Sequence, residues 1–172
     1  MFTVRLLLFE TVSTGGHYAC TFRKKQTVLK ERDVWTSLKR SARLGFAVRI
    51  ESPTSPGVPD VFFSTGGVAG WMELKCVRSK KPLSARTLRP LQLRWAAEAS
   101  AAGVFTTVLL FWRHRAILIA GADVATLVDA PVEAVLARAI WVGGDTAKTR
   151  WNGIQEKLEQ HGQRPQTVRM AE

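Results

Sequence analysis

Apolar positions along this chain switch between two periods, and the switches outline a mixed α/β architecture. Over residues 27–44, Val28, Val34, Trp35, Leu38 and Ala42 recur at helical spacing against a polar, basic opposite side, and Gly45 supplies the stop. Residues 46–50 read as a strand, followed by a turn-forming stretch, Glu51-Ser52-Pro53-Thr54-Ser55-Pro56-Gly57. An apolar run headed by Asp60 (Val61, Phe62, Phe63) then meets Ser64-Thr65-Gly66-Gly67 and resumes as a second run through Lys75, which predicts an antiparallel hairpin. Pro90 opens a helix to about residue 102, with Leu91, Trp95, Ala99 and Ala102 as its expected buried stripe. Residues 106–111 are almost wholly apolar, as in a central strand covered on both faces, and 116–119 form another strand. Residues 122–128 and 132–140 read as helices on either side of Asp129-Ala130-Pro131, and Trp141-Val142-Gly143-Gly144 breaks the pattern.

These elements predict a sandwich in which helices flank a mixed sheet of four or five strands, built from residues 26–143. Residues 1–25 alternate weakly about Gly15-Gly16 and are expected to form an N-terminal extension, possible as a hairpin. Residues 144–172 are polar with one weakly helical piece over 151–160, and are expected to be a frayed tail or a partner-dependent segment.

A chain of 172 residues with 46% hydrophobic content can bury a core without disulfides or a structural metal. Its 25 basic and 14 acidic residues leave a net charge of +11, which makes a polyanion the first expected partner. The excess is uneven. Residues 1–45 hold nine basic and three acidic residues and 71–100 hold seven and two, whereas 46–70 hold one and two. Cys20 and Cys76 lie far apart without metal-type spacing, and His17, His114 and His161 are dispersed, so neither a disulfide scaffold nor a zinc site is indicated. Leu6-Leu7-Leu8-Phe9 is too short to span a bilayer, and a cytoplasmic protein is expected.

The chemistry concentrates in residues 57–75. Side chains alternate along a strand, so Glu73 and Lys75 share one face while Met72 and Leu74 take the other, and the hairpin brings Asp60 near Glu73. Two carboxylates and an ammonium in an apolar sheet are costly unless they pair or hold a metal. Carboxylates are hard oxygen ligands suited to Mg2+ or Mn2+. Such an ion, with a lysine to orient water or offset charge, is what phosphodiester hydrolysis requires. Taken alone, Glu-x-Lys is an ordinary exposed cross-strand pattern and Pro-Asp an ordinary turn; the specificity lies in their conjunction.

Gly57-Val58-Pro59-Asp60, then Glu73-Leu74-Lys75, then Arg89-Pro90-Leu91-Gln92-Leu93-Arg94-Trp95, resemble the VRR-NUC branch of the PD-(D/E)XK nuclease superfamily over roughly residues 30–128. The resemblance implies a restriction-endonuclease-like sandwich and a metal-dependent endonuclease. Asp60 and Glu73 would bind metal, with Glu31 on the first helix as a further ligand, Lys75 would be catalytic, and Gln92 would complete the site. Glu31 lies near the same helix face as Val34 and Leu38, yet it also suits the surface of a basic helix, and Asp33 lies nearby. The resemblance further implies a homodimer acting on branched DNA, with four-way junctions as the first expectation. Flap, nicking or restriction-like cleavage, and a non-catalytic DNA-binding protein, stay open. Phosphate contacts are expected from Arg78, Lys80, Lys81, Arg86 and Arg89 in the loop after Lys75, and from Lys39 and Arg43 on the first helix. Trp95 is expected in the core rather than as a base-stacking platform.

Overall fold

The computed structural model describes residues 30–42, 44–50, 56–146 and 149–163. The N-terminal extension with His17 and Cys20, Arg43, and the tail beyond residue 163 therefore lie outside the described residues.

Among the described residues six strands form one sheet in sequential order: β1 (Phe46–Arg49), β2 (Val61–Thr65), β3 (Val68–Val77), β4 (Thr106–Trp112), β5 (Arg115–Ala120) and β6 (Trp141–Val142). Only β3 and β4 run parallel, because the connection between them crosses over through a helix, α2 (Pro90–Ala101); the other pairs are antiparallel. The five strands legible as apolar runs are all present. The sixth, β6, corrects the expected count of four or five: two residues carry no period, and Trp141 and Val142 join the sheet by pairing with Leu118 and Ile117.

The sheet is covered on both sides, which is why all seven residues of β4 are buried. On one side, Val34 and Leu38 of α1 (Glu31–Ser41) meet Val61, Phe63, Met72 and Leu74, together with Trp151 and with Ile154 and Leu158 of α5 (Ile154–Gly162). On the other, Val108, Leu110, Ile117 and Ile119 pack against Leu83, Leu88, α3 (Gly121–Val124), the 3-10 turn Ala125–Leu127 and α4 (Val132–Arg138). Ile154 and Leu158 are fully buried. Trp151, Ile154 and Leu158 thus belong to the core, and the stretch that carries them is docked on the sheet, where a frayed tail or a partner-dependent segment was expected. Two apolar residues one helical turn apart, beside a tryptophan, suffice to dock an otherwise polar helix.

The face of α2 also differs from expectation. Ala96 and Ser100 are its buried positions, Trp95 is half-buried, and Leu91 stands half-exposed. Small residues face the sheet because the backbones approach closely. Ser100 Oγ lies 2.7 Å from Thr106 Oγ1, and a Cβ on Gly121 would fall 1.9 Å from that Thr106 oxygen. A larger stripe has no room there. Trp95 instead meets Trp71 edge to face, with ring centroids 5.8 Å apart.

Candidate active site

Strand lengths create the site. β2 pairs with β3 from Val61↔Met72 to Thr65↔Val68, so beyond Met72 the ten-residue β3 has β4 as its one strand partner among the described residues. Its free edge begins where β2 starts, and Asp60 immediately precedes that start. The Asp60 Oδ2 accepts the Leu74 N–H at 3.0 Å, and the Asp60 carbonyl accepts the Ile50 N–H at 2.7 Å. Asp60 thereby substitutes for the missing strand and is held next to Glu73 by backbone geometry.

Glu73 points to the same sheet face as Trp71 and Lys75 and is only 4% exposed. Its Oε1 takes the Lys75 ammonium at 2.6 Å and also accepts a hydrogen bond from Gln92 Nε2. Gln92 is oriented by its own helix: its Oε1 accepts the Arg89 N–H at 3.0 Å at the start of α2, which turns the amide NH2 towards Glu73. The Glu73 Oε2 is buried and has no hydrogen-bond partner among the described residues. Glu31, from the first turn of α1, reaches Lys75 Nζ from the other side at 3.8 Å. One ammonium therefore lies between two carboxylates, with a third close enough to act on Glu73.

Burial raises the Glu73 carboxyl from the usual 4.5 to about 7. The attraction of Lys75 opposes this, and the charges of Asp60 and Glu31 add to it. Desolvation outweighs a 2.6 Å ion pair here because the pair is buried on the glutamate side. Cys76 follows the same logic: burial, then Glu31 and Asp33, push its thiol up to about 11, which leaves it inert as a nucleophile at neutral pH.

All five site residues expected from the sequence are therefore in one neighbourhood, in two linked groups: Asp60, Glu73 and Gln92 on one side of Lys75, and Glu31 on the other. Among the described residues no three His, Cys, Asp or Glu side chains stand close enough to hold a metal ion together. The charge occupying the centre is the Lys75 ammonium. A partnerless, desolvated carboxylate oxygen beside a second carboxylate is nevertheless a fitting donor set for a hard divalent cation, which takes few protein ligands and keeps its waters.

A cavity of about 350 Å3 opens from the site, walled by Glu31, Lys75 and Gln92 and by the guanidinium-bearing Arg78, Arg86 and Arg89. The loop that carries these arginines is anchored to the core. Leu83 and Leu88 are buried, the Leu83 carbonyl accepts the Asp129 N–H at 3.0 Å, and the Ser79 carbonyl accepts the Trp112 indole N–H at 3.0 Å. Of the other expected phosphate contacts, Lys80 and Lys81 do not line the cavity; Lys81 Nζ donates to the Asp129 carbonyl at 2.6 Å. Lys39 lies on the exposed side of α1 over the Trp35 ring.

No known family model matches the chain, and no curated protein matches it. Among the described residues no helix is long and apolar enough to cross a membrane.

Proposed function

We propose that this protein is a divalent-cation-dependent endodeoxyribonuclease of the restriction-endonuclease-like, VRR-NUC type. The observation that carries the reading is the buried Glu73, its Oε2 without a hydrogen-bond partner among the described residues, set beside Asp60 and bonded to the Lys75 and Gln92 side chains that border an arginine-lined cavity. Asp60 and Glu73 would hold Mg2+ or Mn2+ with water in its remaining positions, while Glu31, on the other side of Lys75, pairs with the ammonium rather than joining them as the third ligand expected from the resemblance. When bound, such an ion polarises a phosphoryl oxygen and lowers the pKa of a water ligand. Gln92 keeps the Glu73 carboxylate aimed into the site. Lys75, held between Glu73 and Glu31, would donate to the attacking water or to the developing phosphoryl charge. Arg78, Arg86 and Arg89 take the flanking backbone phosphates, which fixes register without reading sequence. Branched DNA, a four-way junction foremost, is the substrate we assign. A homodimer is the acting form we assign.

The test is a cleavage panel of junction, flap, fork and linear duplex with Mg2+, Mn2+ or chelator. Junction cleavage in either metal is expected, with Asp60→Asn and Lys75→Ala losing at least about 100-fold in rate while DNA affinity stays within a few-fold. Variants that cut as fast as the parent would overturn the site. Salt-dependent binding with no cleavage of any substrate would leave a DNA-binding module, the rival that the arginine-lined cavity equally supports.

A further inference from the structure

A second cavity, of about 320 Å3, lies on the opposite face of the sheet, between α1 and the turn that precedes α5. Its polar wall comprises Thr36, Ser37 and Arg40 from α1 and Arg150 from the turn, over a floor of Phe111 and Trp151. The Arg150 guanidinium is held above the Phe111 ring, 4.8 Å from its centroid, and Arg150 Nε is buried with no hydrogen-bond partner among the described residues. Neither Arg40 nor Arg150 has a carboxylate within ion-pair distance among the described residues. Asp33 also borders the cavity, but its Oδ2 accepts the Lys30 N–H at 3.0 Å at the start of α1. The Ser37 hydroxyl accepts the Trp151 indole N–H at 2.9 Å, which leaves its own proton available to donate.

A guanidinium does not shed its proton, so a partly desolvated Arg150 without a counter-charge is unfavourable unless an anion completes it. Burial already disfavours its charged form. Two guanidinium forks and a hydroxyl donor around one cavity match the several oxygens of a phosphate group better than a single carboxylate. Arg40 is nine residues beyond Glu31 on the same helix, about 13 Å along its axis at 1.5 Å per residue. Phe111 lies opposite Cys76 in the sheet, next to Lys75. The cavity is thus a few nucleotides from the catalytic group by way of α1.

We propose that this cavity is a phosphate-binding site that takes a backbone phosphate of the DNA strand and anchors it along α1, remote from the phosphate at Lys75. The assignment of DNA as the source rests on the nuclease reading; the phosphate chemistry does not. Two measurements test it. In the first, inorganic phosphate is titrated into the full chain while the Trp151 indole N–H is followed by NMR, with Trp151→Phe to assign it. A saturable shift is expected, lost in Arg40→Gln and Arg150→Met. Arg40 is exposed and Met keeps the stem over Phe111, so melting temperatures should show both variants folded. In the second, junction binding by the cleavage-blocked Glu73→Gln chain is measured against salt concentration. Each arginine variant should lower the slope of log K on log salt by about 1, and Arg150→Lys should restore it. A shift with phosphate but an unchanged slope would overturn DNA as the source in favour of free phosphate. No shift with either phosphate or DNA would overturn the site. A lowered slope, together with a parent chain that cuts no DNA in Mg2+ or Mn2+, would sustain this proposal while removing the nuclease one.

Discussion

Glu73 is the residue at which folding and function pull in opposite directions. A carboxylate in that position is stabilised by Lys75 and by the Gln92 amide, yet burial still lifts its pKa to about 7. The folded state therefore holds this proton over a range in which the unfolded chain has released it. The stability so carried is whole below pH 4.5 and is lost as the pH rises through about 7. At 1.36 kcal/mol per unit, the change amounts to about 3 kcal/mol. Glu73→Gln has no such proton to lose. Urea melts in chelator should therefore show the parent losing about 3 kcal/mol relative to Glu73→Gln between pH 4.5 and 7.5, and a constant difference would refute the burial argument. Mg2+ or Mn2+ favours the ionised carboxylate, so above pH 7 either ion should recover part of that loss in the parent and none in the variant.

At the scale of elements, the site exists because β3 outruns β2. Leu74 would present an unpaired amide at an internal edge, and Asp60 supplies the acceptor at 3.0 Å. Asp60→Asn keeps an oxygen for that bond and removes only the charge, so its stability should stay within about 1 kcal/mol of the parent; Asp60→Ala leaves the amide unpaired and should cost about 1–3 kcal/mol. Equal losses in chemical denaturation would mean that the bond does not hold the edge. This hairpin was the most legible part of the chain. Strand alternation is strict over two residues, so once Val61–Phe63 and the run through Lys75 are paired across Gly66-Gly67, Glu73 and Lys75 must share a face and Asp60 must stand near them. Gln92 was legible only through the family resemblance, since nothing in its spacing says that its amide turns towards Glu73. The face of α2 was misread because large apolar residues suggest burial, whereas close packing against Thr106 selects Ala96 and Ser100. Helix α5 was hidden for the converse reason, its core contribution resting on Ile154 and Leu158 within a polar stretch. Arg150 lay in that same stretch, and so went unnoticed as a member of any cavity.

For the whole molecule, a net charge of +11 says only that polyanions will be attracted, and the fold decides which charges can meet one at close range. Arg86 and Arg89 line the active-site cavity, while Lys81, three residues past Arg78, is turned away and tied to the Asp129 carbonyl. A cation in contact with a phosphate releases about 0.9 of a counterion from duplex DNA, whereas one held against the protein elsewhere adds only to a screened long-range field. Arg86→Gln and Arg89→Gln should therefore each reduce the salt slope of junction binding by about 1, and Lys81→Gln should leave it nearly unchanged although all three remove the same formal charge. The affinity lost at low salt follows the same order. If Lys81→Gln lowered the slope as much as Arg86→Gln, binding would be governed by the overall charge of the surface, and the cavity would have no privileged part in holding the DNA.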